Sequence, residues 1–191
     1  MVALVGALVE SKTRLTKNDG KELRTMTLEE YFVSPPRLVK PPDSKVLWHE
    51  DALAEADLLE VRQVLGSATV GLLLDLRQAL QIREGSAAVL LVRGVTAIEW
   101  QSATTQSGRL AWKIIGSLPQ VDSEGFSLET SFIWPATLSI KGRRAELYVG
   151  NIAGLSAAPP DYVHDDDATI CADLPSWTRP FELVTYGVLG R

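Results

Sequence analysis

Hydrophobic and polar residues alternate through the middle of the chain. In the sequence FSLETSFIW (residues 126–134) the large apolar side chains fall on one face, and the serines and the glutamate fall on the other. Side chains of a strand point alternately to its two faces, so a period of two predicts a half-buried β-strand. The same alternation returns in residues 110–115, 136–140 and 145–149, and the polar KGRR stretch between the last two predicts a hairpin.

Two earlier apolar runs differ from this pattern. Residues 87–92 (AAVLLV) are apolar at every position, which is typical of a strand covered on both faces. Residues 70–82 fit both a strand and a helical stripe, and the REGS turn that follows them favours a strand. The short connections leave no room for crossover helices. We therefore predict an antiparallel β-meander over residues 68–150 that forms a β-sandwich or an open barrel.

The flanking segments complete one predicted domain over residues 1–191. Residues 1–33 predict an N-terminal hairpin, because Asp-Gly between β-rich runs is a strong hairpin signal. Four prolines then indicate an extended connector over residues 34–44. Residues 49–65 fit a helix, with a strand as the alternative, and residues 161–191 predict a short helix and a last strand. The predicted fold class is mainly β, with one or two peripheral helices.

Composition narrows the class of protein further. The chain has 191 residues, of which 46% are hydrophobic and 23% are charged, as is usual for a globular protein. Its apolar runs are far shorter than the ~20 residues that a membrane-spanning helix needs. The single cysteine, Cys171, cannot form an internal disulfide, and its apolar helical surroundings predict a buried thiol. We expect a cytoplasmic protein with no membrane partner and no cofactor.

The motifs that commonly identify an enzyme do not occur in the sequence. It contains no Gly-x-Ser-x-Gly, no phosphate-binding loop, no Gly-x-Gly-x-x-Gly and no His-Glu-x-x-His. We therefore expect a non-enzymatic protein without catalytic residues. A small-molecule-binding or hydrolytic β-barrel is an alternative, because composition does not reveal whether a cavity exists.

The strongest polar constellation lies near the C-terminus, where five acids and one histidine occur without a Lys or Arg. Its members are Asp161, His164, Asp165, Asp166, Asp167 and Asp173. The simplest interpretation is a capped helix start with Asp165 as N-cap, because carboxylates there accept hydrogen bonds from free backbone N–H groups. A partner-binding acidic patch is the second interpretation. A metal site completed by His49 is the third, since carboxylates and histidine are metal-ligand types.

Aromatic residues supply further candidates for recognition. Trp177 lies in a proline-rich stretch close to Arg179, and Trp and Arg are enriched in interface hot spots. A structural, half-buried Trp177 is the alternative. Trp100, Trp112 and Trp134 fall on the apolar sides of their predicted strands, which predicts packing in the core.

A basic segment near the N-terminus suggests a different function. The sequence VGALVESKTRLTKNDGKELRTMTLE resembles the first three strands of an OB-fold, which implies single-stranded nucleic-acid binding through residues 10–32. Such proteins stack bases on exposed aromatic rings, and this segment has none before Tyr31 and Phe32. The net charge of -5 also has the wrong sign for a phosphate backbone. We therefore favour the interpretation that this segment is an exposed edge hairpin whose lysines discourage pairing between molecules, and we keep nucleic-acid binding as the alternative.

Several longer segments together resemble a family of small bacterial β-rich proteins that has no assigned activity. They are EEYFVSPPRLVKPPDSKVLWHE, VGLLLDLRQALQIREGSAAVLLVRGV, APPDYVHDDDATI and LPSWT. The resemblance implies a bacterial cytoplasmic origin and one β-rich domain, and it transfers no functional residue. By analogy alone, small acidic proteins of this type are similar to immunity proteins, which neutralise a toxin.

The combined expectation is a protein-binding module, either an adaptor or a toxin-neutralising protein. Its acidic surface would attract a basic protein partner, such as a toxin, and would speed association. The predicted partner-binding residues are Asp161, His164, Asp165, Asp166, Asp167, Trp177 and Arg179.

Overall fold

The computed structural model describes residues 26–34, 44–47, 49–103 and 111–190. In these ranges the strands are β1 (Met26–Thr27), β2 (Asp57–Val64), β3 (Thr69–Asp75), β4 (Ala87–Arg93), β5 (Ala97–Ser102), β6 (Trp112–Val121), β7 (Phe126–Phe132), β8 (Ala136–Gly142), β9 (Arg144–Ile152) and β10 (Pro180–Gly190). The α-helices are α1 (Leu28–Val33) and α2 (Asp167–Ala172), and 3-10 helices cover Ser44–Leu47 and Leu65–Ser67. None of the described helices has the length and hydropathy of a membrane span. The predicted mainly β fold with few helices is confirmed.

The strands form one open antiparallel sheet in the order β1-β10-β9-β4-β3-β2-β6-β7-β8-β5. The sheet folds over between β2 and β6, which pair only at Asp57 and Leu58. On either side of this narrow junction the two halves pack against each other, because side chains of β3, β4 and β9 share one apolar cluster with those of β7 and β8. We call this cluster the inner core. The architecture is thus a single sheet curled over its own core.

The chain passes between the two halves more often than a simple meander would. β8 pairs with β7 and β5, whereas β9 pairs with β4 and β10. The predicted hairpin between residues 136–140 and 145–149 is therefore wrong, although both strands exist. Gly142, at the end of β8, lets this strand lie close to β4, because a Cβ at this position would lie 2.6 Å from Val92 Cγ1. Alternation along each strand was informative, but it did not specify the neighbours of that strand.

β3 and β4 are buried on both faces, as the continuous apolar run in β4 predicts. Leu90 and Val92 belong to the inner core. Val89 and Leu91 point the other way, into a second apolar cluster formed with α1, Trp177 and β10. We call this second cluster the outer cluster. Full burial of a Val or Leu side chain contributes roughly 1.5–3 kcal/mol to the free energy of unfolding. The inner core and the outer cluster therefore both stabilise the fold substantially.

α1 begins where the sequence analysis expected the second strand of a hairpin. The Thr27 hydroxyl accepts a hydrogen bond from the Glu30 N–H, and the Glu30 carboxylate accepts one from the Thr27 N–H. This capping box starts a helix at Leu28. The prediction of strand structure is therefore wrong from Leu28 onward, and the described end of the predicted hairpin is a helix.

Residues 49–65 contain a turn followed by β2, so the helix interpretation is wrong and the strand alternative is correct. Asp51 has a φ of 60°, which a right-handed helix does not accommodate. Two further predictions fall on parts of the chain outside the described residues. They concern the hairpin turn within residues 1–25 and the proline-rich connector over residues 34–44, of which residues 35–43 lie outside the described ranges.

Gly71 lets the outer cluster sit directly on β3. A Cβ at this position would lie 2.8 Å from the Phe32 ring and 3.0 Å from the Trp177 ring. The centroids of these two rings are 5.4 Å apart, so the rings support each other and have little room to move away. The absence of a side chain at Gly71 therefore sets the height of the aromatic layer above the sheet.

Replacing Gly71 with Ala should lower the free energy of unfolding by about 1–3 kcal/mol, the usual cost of overpacking a core. Urea denaturation measures this change. Gly66→Ala is the matched control, because a Cβ at Gly66 meets no atom within 4 Å, and its effect should stay within about 1 kcal/mol. Equal losses in the two variants would contradict the direct contact between β3 and the aromatic layer.

Candidate functional site

The predicted acidic cluster is a turn that leads into α2, and its carboxylates cap that turn. Asp166 is the N-cap of α2, since its carboxylate accepts a 2.8 Å hydrogen bond from the Thr169 N–H. Asp165 instead accepts one from the Asp161 N–H at 2.8 Å, so the prediction of Asp165 as N-cap is wrong by one residue. The Val163 N–H lowers the pKa of Asp161, and the Thr169 N–H lowers the pKa of Asp166.

The acidic segment, residues 161–167, carries its charges on the surface. The side chains predicted there to bind a partner are all exposed: Asp161, His164, Asp165, Asp166 and Asp167. His164 Nδ1 lies 2.9 Å from a carboxylate oxygen of Asp161. Over the described ranges, no three His, Cys, Asp or Glu side chains are grouped so that they could hold a metal ion. His49 therefore completes no ligand set with this segment.

Arg77 fastens the end of α2 to the end of β3. Its guanidinium forms two ion pairs of 2.6 Å, one with Asp75 and one with Asp173. It also donates to the carbonyls of Ser156 and Ala158. Burial opposes the charged form, but the two carboxylates outweigh burial and raise the pKa of Arg77. Against the effect of its own burial, hydrogen bonds from Ser156 and Arg77 lower the pKa of Asp173.

Tyr162 and Asp57 continue this network into the fold. The Tyr162 hydroxyl donates to Asp75 at 2.7 Å, and burial together with the Asp75 charge raises the pKa of Tyr162. Asp75 is the cross-strand neighbour of Asp57, which in turn pairs with Lys113 on β6 at 3.0 Å. Burial raises the pKa of Asp57, and Lys113 offsets this only in part. We call the set the buried charge network: Asp57, Asp75, Arg77, Lys113, Tyr162 and Asp173.

A polar hollow of about 500 Å³ lies beside Arg77. Several of the polar side chains around it make contacts within the chain. Arg77 is held by its carboxylates, the Arg83 Nε–H donates to the Leu80 carbonyl, and the Ser86 hydroxyl accepts a hydrogen bond from the Ile152 N–H.

Trp177 and Arg179 have structural roles. Trp177 is 1% exposed, its ring packs against Phe32, and the Arg62 guanidinium lies 4.7 Å from its centroid. Arg179 donates to the Ala172 carbonyl at 2.6 Å, which satisfies a backbone acceptor in the last turn of α2. The prediction that Trp177 contacts a partner is wrong, because a partner cannot reach it. Arg179 stabilises the end of a helix.

The prediction of a buried thiol is wrong, because Cys171 is exposed. Tyr31 and Phe32 are 4% and 6% exposed within the outer cluster, and burial, together with the charge of Glu30, raises the pKa of Tyr31 to about 12. Over the described part of residues 10–32, these two aromatic rings are therefore not available to stack on nucleic-acid bases.

An open groove between β2 and β5 was missed by the sequence analysis. Its volume is about 310 Å³. It is lined mainly by apolar side chains, and the lining residues are Leu58, Leu59, Glu60, Val61, Ile98, Trp100, Trp112 and Leu138. Trp100 is 41% exposed and packs on Trp112 and Phe132, with centroid distances of 4.9 Å and 5.1 Å. We call this feature the Trp100 groove.

The Trp100 groove exists because the curled sheet does not close. β5 is the last strand in the sheet order and, among the described strands, pairs with β8 alone. β2 separates from β6 after Leu58. Among the described strands, neither β5 nor the part of β2 after Leu58 has a pairing partner on the side that faces the groove, and Trp100 stays partly exposed although it lies on the apolar side of β5. The prediction of core packing for Trp100 is correct for its direction and wrong for its burial.

Substitution of Arg77 by Gln should lower the free energy of unfolding by about 3–5 kcal/mol at neutral pH, because buried carboxylates lose their partner. Urea denaturation at several pH values measures this loss. The loss should shrink in acid, because Asp173, whose pKa lies below the ordinary Asp range, takes up a proton there and no longer needs the cation.

Arg83→Gln is the matched control for this substitution. Arg83 is exposed beside the same hollow, and its replacement should change the free energy of unfolding by no more than about 0.5 kcal/mol. A loss for Arg77→Gln that stays constant from neutral to acidic pH would contradict charge pairing as the source of its effect.

Comparison with known protein families finds no match to this chain, and comparisons with curated proteins and with solved structures find none either. The resemblance to small bacterial proteins stays a prediction. In the described part of the chain, the Trp100 groove and the acidic segment are exposed features that could contact a partner.

Proposed function

We propose that this protein is a protein-binding module and that its partner occupies the Trp100 groove. The observation that carries the proposal is the exposure of Trp100 in an apolar groove, beside two strand edges that pair with no other strand in the described part of the chain. Exposed apolar surface with a polar rim is typical of interaction sites. Trp is also enriched among the residues that dominate binding energies.

The apolar surface of the groove includes part of β2. Val61 lines the groove and is 38% exposed. Contact with a partner would remove this apolar surface from water. The proposed interface therefore extends from Trp100 to Val61.

The acidic segment supports the proposal in a second way, through the rate of association. Its exposed carboxylates and the net charge of -5 favour a basic partner, and complementary charge accelerates encounter more than it tightens binding. The buried charge network joins this segment to Asp57, which directly precedes Leu58 of the groove. A toxin-neutralising protein and an adaptor would both use such a surface, so the proposal is stated for protein binding in general.

Truncation of Trp100 to Ala tests the proposal. A partner isolated with the wild-type protein should bind Trp100→Ala about thirtyfold more weakly, as expected for a hot-spot loss of about 2 kcal/mol. Isothermal titration calorimetry measures the affinity, and circular dichroism confirms that the variant is folded. Ile133→Ala is the matched control, since Ile133 is 57% exposed and lies outside the groove. Equal affinities for both variants would sink the proposal.

A further inference from the structure

β5 is an edge strand without the usual protection. It has six residues and, within the described structure, forms a ladder with β8 on one side only. Natural edge strands commonly carry Lys or Pro, which discourage the addition of another strand. The sequence of β5, AIEWQS, contains neither. The part of its edge at Ile98 and Trp100, which pairs with no described strand, is therefore suited to pairing with an extended chain, as in the domains that bind peptides by β-strand addition.

The free edge of β5 offers backbone groups in a defined pattern. Just after β5, Ala103 donates its N–H to the Pro135 carbonyl, just before β8. N–H groups of an antiparallel strand alternate between its two sides, so the Glu99 N–H faces β8. The N–H groups of Ile98 and Trp100 then face the free edge. An added strand would accept hydrogen bonds from these two groups.

The dimensions of the Trp100 groove favour one extended segment over a folded surface. Its volume of about 310 Å³ is at the lower end of the range for ligand pockets, about 300–1,000 Å³, and suits a few side chains. β2 bounds the groove opposite β5, so the edge of a second folded sheet would meet β2. An isolated strand avoids this collision and would place alternate side chains against Trp100 and Val61.

The charges beside the groove favour a basic segment. Glu60 is the one charged residue that lines the groove in the described part of the chain, and it pairs with Arg62. Lys113 pairs with Asp57. Glu99 is exposed on β5, makes no ion pair among the described residues and lies directly across from Ser139, with the exposed Lys141 one position further along that face of β8. Opposite charges on neighbouring strands stabilise their pairing, so a Lys or Arg across from Glu99 is favoured.

We propose that the Trp100 groove binds an extended basic segment of the partner protein, which pairs with β5 as an additional strand and directs alternate apolar side chains onto Trp100. The inference rests on the proposed function and adds to it the chemical class of the segment and its mode of binding. Main-chain hydrogen bonds to β5 would supply affinity, and the aromatic groove would supply specificity.

Amide hydrogen exchange in the full-length chain tests the mode of binding. The probe is the synthetic peptide acetyl-Lys-Val-Lys-Val-Lys-Val-amide, added to saturation and followed by nuclear magnetic resonance. Exchange at Ile98 and Trp100 should slow by about tenfold or more as their N–H groups become hydrogen-bonded. Exchange at Glu99 should change little, because its N–H already faces β8.

The preference for a basic segment is tested with a second peptide and two variants. The peptide with Glu in place of each Lys should bind about tenfold more weakly or not at all, because it brings like charges together. Glu99→Gln should weaken binding of the Lys peptide. Glu129→Gln is the matched control, since Glu129 is exposed two strands away on β7, in the same cross-strand row as Glu99, and binding should be unchanged.

The outcomes separate this inference from the proposed function. Peptide binding without slower exchange at Ile98 and Trp100 would overturn strand addition and leave protein binding intact. Equal binding of the two peptides would overturn the basic segment. Slow exchange at Ile98 and Trp100 in the free protein would show that another part of the chain already covers β5, and would overturn the inference as well. If the native partner loses affinity with Trp100→Ala but neither peptide binds, only the inference fails.

Discussion

Burial of β3 and β4 on both faces is the constraint on which the rest of the structure depends. Strands that are apolar on both sides need a cover on each, and the chain provides the two covers differently. The sheet folds over at the junction of β2 and β6 to cover the inner face, whereas α1, Trp177 and β10 cover the outer face. Trp177 is therefore buried in the cover of the outer face, whereas Trp100, on the last strand of the folded-over half, stays 41% exposed.

The same fold-over places charges in the interior at the junction. Asp57 and Asp75 are cross-strand neighbours, and two like charges in this position oppose strand pairing. Lys113 and Arg77 compensate them from two sides. Because Arg77 and Tyr162 also reach the segment around α2, the compensation fixes the acidic segment to the sheet. The contacts that Arg77 and Tyr162 make with Asp75 thus also hold the exposed acidic segment against the sheet.

Much of the fold could be predicted from periodicity, because alternation reports the face on which each side chain of a strand lies. Alternation does not report which strand lies alongside or whether a face is covered, so β8 and β9 were paired wrongly and the exposure of Trp100 was not predicted. Two local signals were present in the sequence. The first is the capping box of Thr27 and Glu30, which the hairpin signal beside it obscured. The second is the run of aspartates, each of which could cap a helix, so that the sequence alone does not show that Asp166 is the N-cap.

The central claim is that one sheet curls over an inner core and stops short of closing between β2 and β5. Nuclear Overhauser spectroscopy on the free, full-length protein tests it most directly. We expect contacts between the methyl groups of inner-core residues from both halves, such as Leu90 and Leu138, and backbone contacts between Ile98 and Ile140 across β5 and β8. Backbone contacts between β2 and β5 should be missing; a regular ladder of them would show a closed barrel and would contradict the account.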